Sequence, residues 1–212
     1  MKVSKKVNAV RRSLMHSLTK DVGKDRLPKN LAEKTVIKKV LITRPNHRLG
    51  NLLIITPLVQ EVISFFPESK IDLFVKGGVS PSIFKNYRNI DRIIQLPKKP
   101  FSNLFNYLRG WFLLKTKKYD LVINATAGSS SGRLSTNFAR SHYKLFSDQN
   151  MVLQEQFPDY RHSAKNSIYN LRDYLAKLGF EKSAEAVPDL DIKLDLSEIA
   201  KGKEQLNAIT KN

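Results

Sequence analysis

Hydrophobic and polar positions alternate along this chain in two periods. An apolar run at Val40, Leu41 and Ile42 stops at a polar loop, Arg44-Pro45-Asn46-His47-Arg48; Gly50-Asn51 then opens a second apolar segment through Leu52, Leu53, Ile55, Val59, Val62 and Ile63. A short apolar run bounded by turn signals reads as a strand buried on both faces, and the wider spacing beyond it as a helix. The pattern predicts a strand near 39–43 and a helix near 51–65, kinked by Pro57 in its first turns and ended with the help of Pro67. The alternation repeats, with strands at 71–75, 91–96 and 120–124, a weak fifth strand at 143–146, and helices at 80–87, 101–115 and 163–179. Gly77-Gly78 serve the turn after the second strand, and Gly179 closes the last helix as a C-terminal cap. Phe101, Leu104, Phe105, Leu108 and Phe112 share one face of the 101–115 helix, where the Trp111-Phe112 pair reads as core packing in preference to membrane insertion. The 148–160 region reads as loop.

Strands and helices in strict alternation predict an α/β fold, a Rossmann-like parallel sheet with helices on both faces. Ligands of such sheets sit beyond the carboxyl ends of the strands. That rule singles out two loops, 44–51 after the first strand and 125–133 after the fourth, the latter reading Ala125-Thr126-Ala127-Gly128-Ser129-Ser130-Ser131-Gly132-Arg133.

Charge changes the picture at the N-terminus. The 212 residues carry 37 Lys and Arg against 19 Asp and Glu, a net charge of +18, which calls for a polyanionic partner without choosing among nucleic acid, anionic lipid and a phosphorylated substrate. Residues 1–40 hold 12 of the basic residues and 3 of the acidic ones. Within them Val3, Val7, Val10, Leu14 and Leu18 form a helical stripe, which predicts a basic amphipathic N-terminal helix over the 1–36 extension, packed on the domain or laid on an anionic membrane surface. A nucleic-acid role is disfavoured because the segment lacks aromatic stacking residues. With no cysteine and four scattered histidines, neither a thiolate site nor a close His pair exists, and no metal or cofactor is expected. The absence of a long apolar run predicts a cytoplasmic chain with at most a peripheral membrane attachment.

The candidate chemistry lies in the two loops. Histidine is the side chain that most often serves as a general base, which makes His47 a candidate, although a lone loop histidine is more often a plain surface residue. Asn51 reads as an N-cap, with or without a substrate-orienting role. Arg44 and Arg48 flank the turn with forked donors suited to phosphate, or with solvated heads. Gly128, Ser129 and Ser130 precede a helix whose N-terminal N–H groups favour an anion, with Arg133 adding charge, or form a plain small-residue turn. His162 precedes the last clear helix, as an acceptor contact or a helix-entry residue.

The order of a first strand, RLGNLLIITPLVQEV, FPESKIDLFV, NIDRIIQL, KKYDLVIN, a Gly/Ser loop and a late His before an amphipathic helix resembles glycosyltransferase family 9, the ADP-heptose:lipopolysaccharide heptosyltransferases, over roughly residues 38–195. The resemblance implies one half of a GT-B fold, residues 37–195 forming the acceptor-binding domain. Its partners would be a lipid-linked sugar acceptor and a nucleotide-sugar donor, the latter held by a second domain. Residues 196–212 would then begin an interdomain linker or helix. That donor domain should start soon after Pro188-Asp189-Leu190-Asp191-Ile192, so the expectation is a fragment, a truncated product or a half completed by another chain. The family motif also places an Asp, its proposed base, where this chain has Asn51. A carboxamide orients a hydroxyl yet takes no proton near neutral pH. The resemblance therefore implies a sugar transferase at the inner face of the inner membrane, or a non-catalytic module that holds an anionic glycolipid.

Overall fold

The structure is a computed structural model that describes residues 17–19, 22–27, 36–99, 103–126, 128–181 and 185–210. Five parallel strands, β1 (Lys39–Arg44), β2 (Lys70–Lys76), β3 (Ile90–Leu96), β4 (Lys118–Asn124) and β5 (Arg140–Leu145), form one sheet in the order β3-β2-β1-β4-β5. The helices are α1 (Leu49–Leu53), α2 (Thr56–Phe65), α3 (Ser80–Phe84), α4 (Leu104–Thr116), α5 (Ser130–Phe138), α6 (Met151–Gln156), α7 (Lys165–Lys177) and α8 (Leu196–Thr210). The Rossmann-like reading is thus confirmed.

Alternate residues of the central strands feed two cores, as the period of 2 requires. Val40, Ile42, Leu73, Leu121 and Ile123 pack with α1, α2, α3 and α7 on one face. On the other, Leu41, Phe74, Ile94, Leu96 and Val122 pack with Leu114 of α4 and, more loosely, with Tyr107, Trp111 and Leu113. Connections leaving β1 step outward to β2 and β3, while β4 leads the other way to β5. The direction reverses between β1 and β4, and a crevice opens at the carboxyl ends of strands at such a reversal.

Several local expectations change. The 51–65 helix is two helices, and Pro57 begins α2 rather than kinking it, because a missing N–H costs little in a first helical turn. A six-residue helix, α6, stands in the region read as loop, capped by the Asn150 side chain accepting from Val152 and Leu153 N–H. α7 ends as predicted: Gly179 takes φ +84°, Phe180 N–H reaches Leu175 O and Gly179 N–H reaches Ala176 O, a Schellman closure.

Most of the 1–36 extension, including the stripe residues Val3, Val7, Val10 and Leu14, lies outside the described residues. Residues 22–27 are packed against the domain. Arg26 N–H donates to Lys144 O at 2.9 Å and Asp25 accepts from Phe146 N–H at 2.6 Å, which covers the outer edge of β5. At the other end, residues 189–193 run across α2 and the turn after α3 through Gln60 to Asp189 O, Tyr87 to Asp191 O and Asn86 to Lys193 O. α8 follows with no buried residue.

Candidate functional site

β1 and β4 lie side by side, so the loops that follow them meet at the carboxyl edge of the sheet. The junction is made by Arg44, which is 6% exposed. Its Nε donates to Asn51 O at 3.1 Å and its Nη1 to Ala125 O at 3.1 Å, tying the first loop to the second. Burial pulls the guanidinium down to about 10, with no carboxylate among the described residues balancing it. Ala125 N–H donates to Thr43 O at 3.1 Å, and Thr43 Oγ1 meets Thr136 Oγ1 at 2.9 Å, fastening α5 across the same seam. Arg44 is therefore a brace, with Nε and Nη1 turned to backbone carbonyls rather than to solvent.

The first loop presents the accessible groups. Asn46 Oδ1 accepts from Arg48 N–H at 3.0 Å, a side-chain turn that starts α1 at Leu49. Helix entry thus falls earlier than expected. Arg48 holds the cap position without a side-chain cap bond, and Asn51 sits inside the helix rather than at its N-cap. Asn51 is half-buried, while His47, Arg48 and Gly50 are exposed. A methyl placed on Gly77 would fall 3.2 Å from His47 Cβ and 3.1 Å from Lys98 Cε. Gly77 needs its glycine for φ +82°, and the close approach brings His47 and Lys98 together over that turn. Lys98 was missed in the sequence, although a cation two residues past the end of β3 obeys the same strand-end rule that flagged the other loops.

The second loop is a tight cap. Gly128 takes φ +69°, and Ser129 Oγ accepts from Gly132 N–H at 3.1 Å as the N-cap of α5. Ser130 opens the helix and is half-buried. Gly132 has no room for a side chain, because a methyl there would lie 2.2 Å from Asn124 Oδ1. Asn124 is itself fixed, donating to Thr126 O and Phe146 O at 2.9 Å each.

Arg133 corrects the sequence reading most strongly. It is 4% exposed, donates to Val22 O at 3.2 Å and Gly23 O at 2.9 Å, pairs with Asp148 and lies over the Phe146 ring. A guanidinium so occupied has no donor fork left for a phosphate. His162 is exposed before α7, where its carbonyl accepts from Lys165 and Asn166 N–H at 3.0 Å each. Its backbone thus serves helix entry, and the two loops joined by Arg44 do not include it. Among the described residues no group of three or more His, Asp or Glu is placed to hold a metal.

A doubly wound α/β domain with a braced rim at its strand reversal is the class that these features define. No protein-family model matches the sequence, and no curated protein matches it. Among solved structures the fold is similar to that of a glycosyl transferase family 9 protein from Veillonella parvula DSM 2008, at 18% identity and a TM-score of 0.56, over 85% of this chain and 52% of that one. It is also similar to E. coli heptosyltransferase WaaC with ADP, at 19% identity and a TM-score of 0.53, over 73% of this chain and 51% of that one. The chain spans about half the length of each. At these identities the likeness establishes a shared fold.

Proposed function

We propose that this chain is the acceptor-side half of a glycosyltransferase, one that moves a heptose or related sugar from a nucleotide-sugar donor onto a lipopolysaccharide-core or similar glycolipid. The observation that carries the reading is the rim itself: Arg44 makes loops 44–51 and 125–133 one surface at the strand reversal of a fold shared with family 9 structures. A second α/β half, outside this chain, would hold the donor against that rim.

In this reading His47 is the base, since residues 44–51 and 125–133 contain no Asp or Glu. The acceptor hydroxyl oxygen attacks the anomeric carbon, the bond to the diphosphate breaks, and the hydroxyl proton passes to a ring nitrogen of His47. Asn51 orients the hydroxyl through its carboxamide. Arg48, Lys98 and the first N–H group of α5 at Ser130, beside the Ser129 cap, stabilise acceptor phosphates, with Gly50 and Gly128 letting the backbone approach.

The test is transfer onto a phosphorylated core acceptor by this protein together with its donor half. Wild-type turnover that is lost in His47→Ala, with acceptor binding retained, supports the assignment; full turnover in that variant removes His47 as base. The missing carboxylate favours a second reading, a non-catalytic module holding an anionic glycolipid. Acceptor binding with no turnover by the assembled wild type would establish it.

A further inference from the structure

We propose that the outward face of α4 is a docking surface for an anionic lipid bilayer, a property that stands apart from the transfer reading. A helix lying on a sheet needs one apolar stripe. α4 has two. Gly110 and Leu114 are buried toward the sheet, with Tyr107 and Trp111 packed beside them, and Gly110 lets the helix close on Leu96, whose Cδ2 would lie 2.6 Å from any added methyl. The other stripe faces outward: Leu104 is 53% exposed, Phe105 77%, Leu108 58% and Phe112 68%. At about 100° per residue these four fall within an arc of about 100°. Phe138 of α5, 39% exposed and in ring contact with Trp111, widens the patch. This outcome reverses the expectation for Phe112, which the pairing with Trp111 had assigned to the core.

The surroundings say what covers this stripe. From residue 92 to residue 119 the chain carries Arg92, Lys98, Lys99, Arg109, Lys115, Lys117 and Lys118, and no Asp or Glu. Arg92 and Lys117 are consumed by Asp72 and Asp91. The other five are exposed and make no ion pair among the described residues, Lys115 lying 4.2 Å over the Phe138 ring. Exposed Phe and Leu bordered by unpaired cations match the boundary of an anionic bilayer, where acyl chains take the apolar groups and headgroups the charge. A second copy would set five cations against five. Among the described residues no helix is long and apolar enough to cross the membrane, so α4 would lie in the interface. Lys98, just ahead of α4, flanks the Gly77 turn as His47 does, which would set the rim beside the headgroups.

Trp111 is the chain's sole tryptophan and sits on this helix. The experiment sediments the protein with vesicles containing about a third phosphatidylglycerol and follows Trp111 quenching by bromine-labelled acyl chains. The expected result is binding with quenching. It should fall by about tenfold or more in Phe105→Ser/Phe112→Ser, and Lys99→Gln/Arg109→Gln/Lys115→Gln should weaken binding to anionic vesicles alone. Thermal melting should be unchanged in the Phe variant and lowered only slightly in the Lys/Arg variant, which gives up the Lys115 contact with the Phe138 ring. Undiminished sedimentation of the double Phe variant, or an unquenched Trp111 in vesicle-bound wild type, would place the attachment elsewhere and overturn the proposal. So would a lack of vesicle binding alongside Phe105-dependent self-association in ultracentrifugation. Transfer to a lipid-free acceptor does not use this face, so failure of docking and failure of the transferase reading are read separately.

Discussion

The two loops that meet at the strand reversal use their charges in opposite ways. In the first, the buried cation is the brace, Arg44, and it frees His47 and Arg48 to face solvent. In the second, the only cation, Arg133, is withdrawn to Val22, Gly23 and Asp148, leaving a rim of small side chains and backbone. Position past a strand end tells where a side chain is rooted. Whether its head is free depends on partners that can lie 110 residues away, as Gly23 does from Arg133.

Removing the withdrawn cation is the harshest test of this contrast. Arg133→Ala strips charged hydrogen bonds from two carbonyls and leaves Asp148 without its partner, at a cost of about 3 kcal/mol in urea unfolding. Hydrogen exchange should rise at residues 22–26, which Arg133 anchors. Unchanged stability and protection there would return Arg133 to the candidate ligands.

Gly132→Ala comes next. A methyl 2.2 Å from the buried, doubly bonded Asn124 forces that strand end to shift, for about 2 kcal/mol on the same measurement. A smaller loss, about 1 to 2 kcal/mol, is expected for Arg44→Ala, because relief of an unbalanced buried charge offsets part of the two lost bonds. Its stronger signature is uncoupling: nuclear magnetic resonance shifts of residues 125–129 should cease to follow ligands added at the first loop.

The sheet was legible because its central strands are buried on both faces and read as unbroken apolar runs, such as Leu121-Val122-Ile123. β5 was faint because only Tyr143, Lys144 and Leu145 of its six residues are buried. α6 escaped notice at six residues, although Asn150 ahead of Val152 and Leu153 was a cap signal. Periodicity found the outward stripe of α4 yet could not say which of two apolar stripes faces the sheet. Gly110 held that answer, since the close approach to Leu96 needs the face without a side chain. Both loops of the rim were found by the strand-end rule. The bracing contacts of Arg44 and Arg133 were not legible, because the carbonyls that they reach are placed by tertiary structure alone.

The smallest stability effect is expected where the functional effect is largest. His47 is exposed, and alanine keeps the Cβ that lies beside Gly77, so His47→Ala should change unfolding free energy by no more than about 0.5 kcal/mol. On the proposed chemistry it removes the rim's proton acceptor, and turnover by the assembled enzyme should fall by about 100-fold or more. Arg133→Ala should show the reverse pattern at a temperature where it remains folded, with a large loss of stability and near-normal turnover. If both substitutions lowered stability and turnover in parallel, the division of the rim into a working loop and a withdrawn one would fail, because His47 would then be part of the brace.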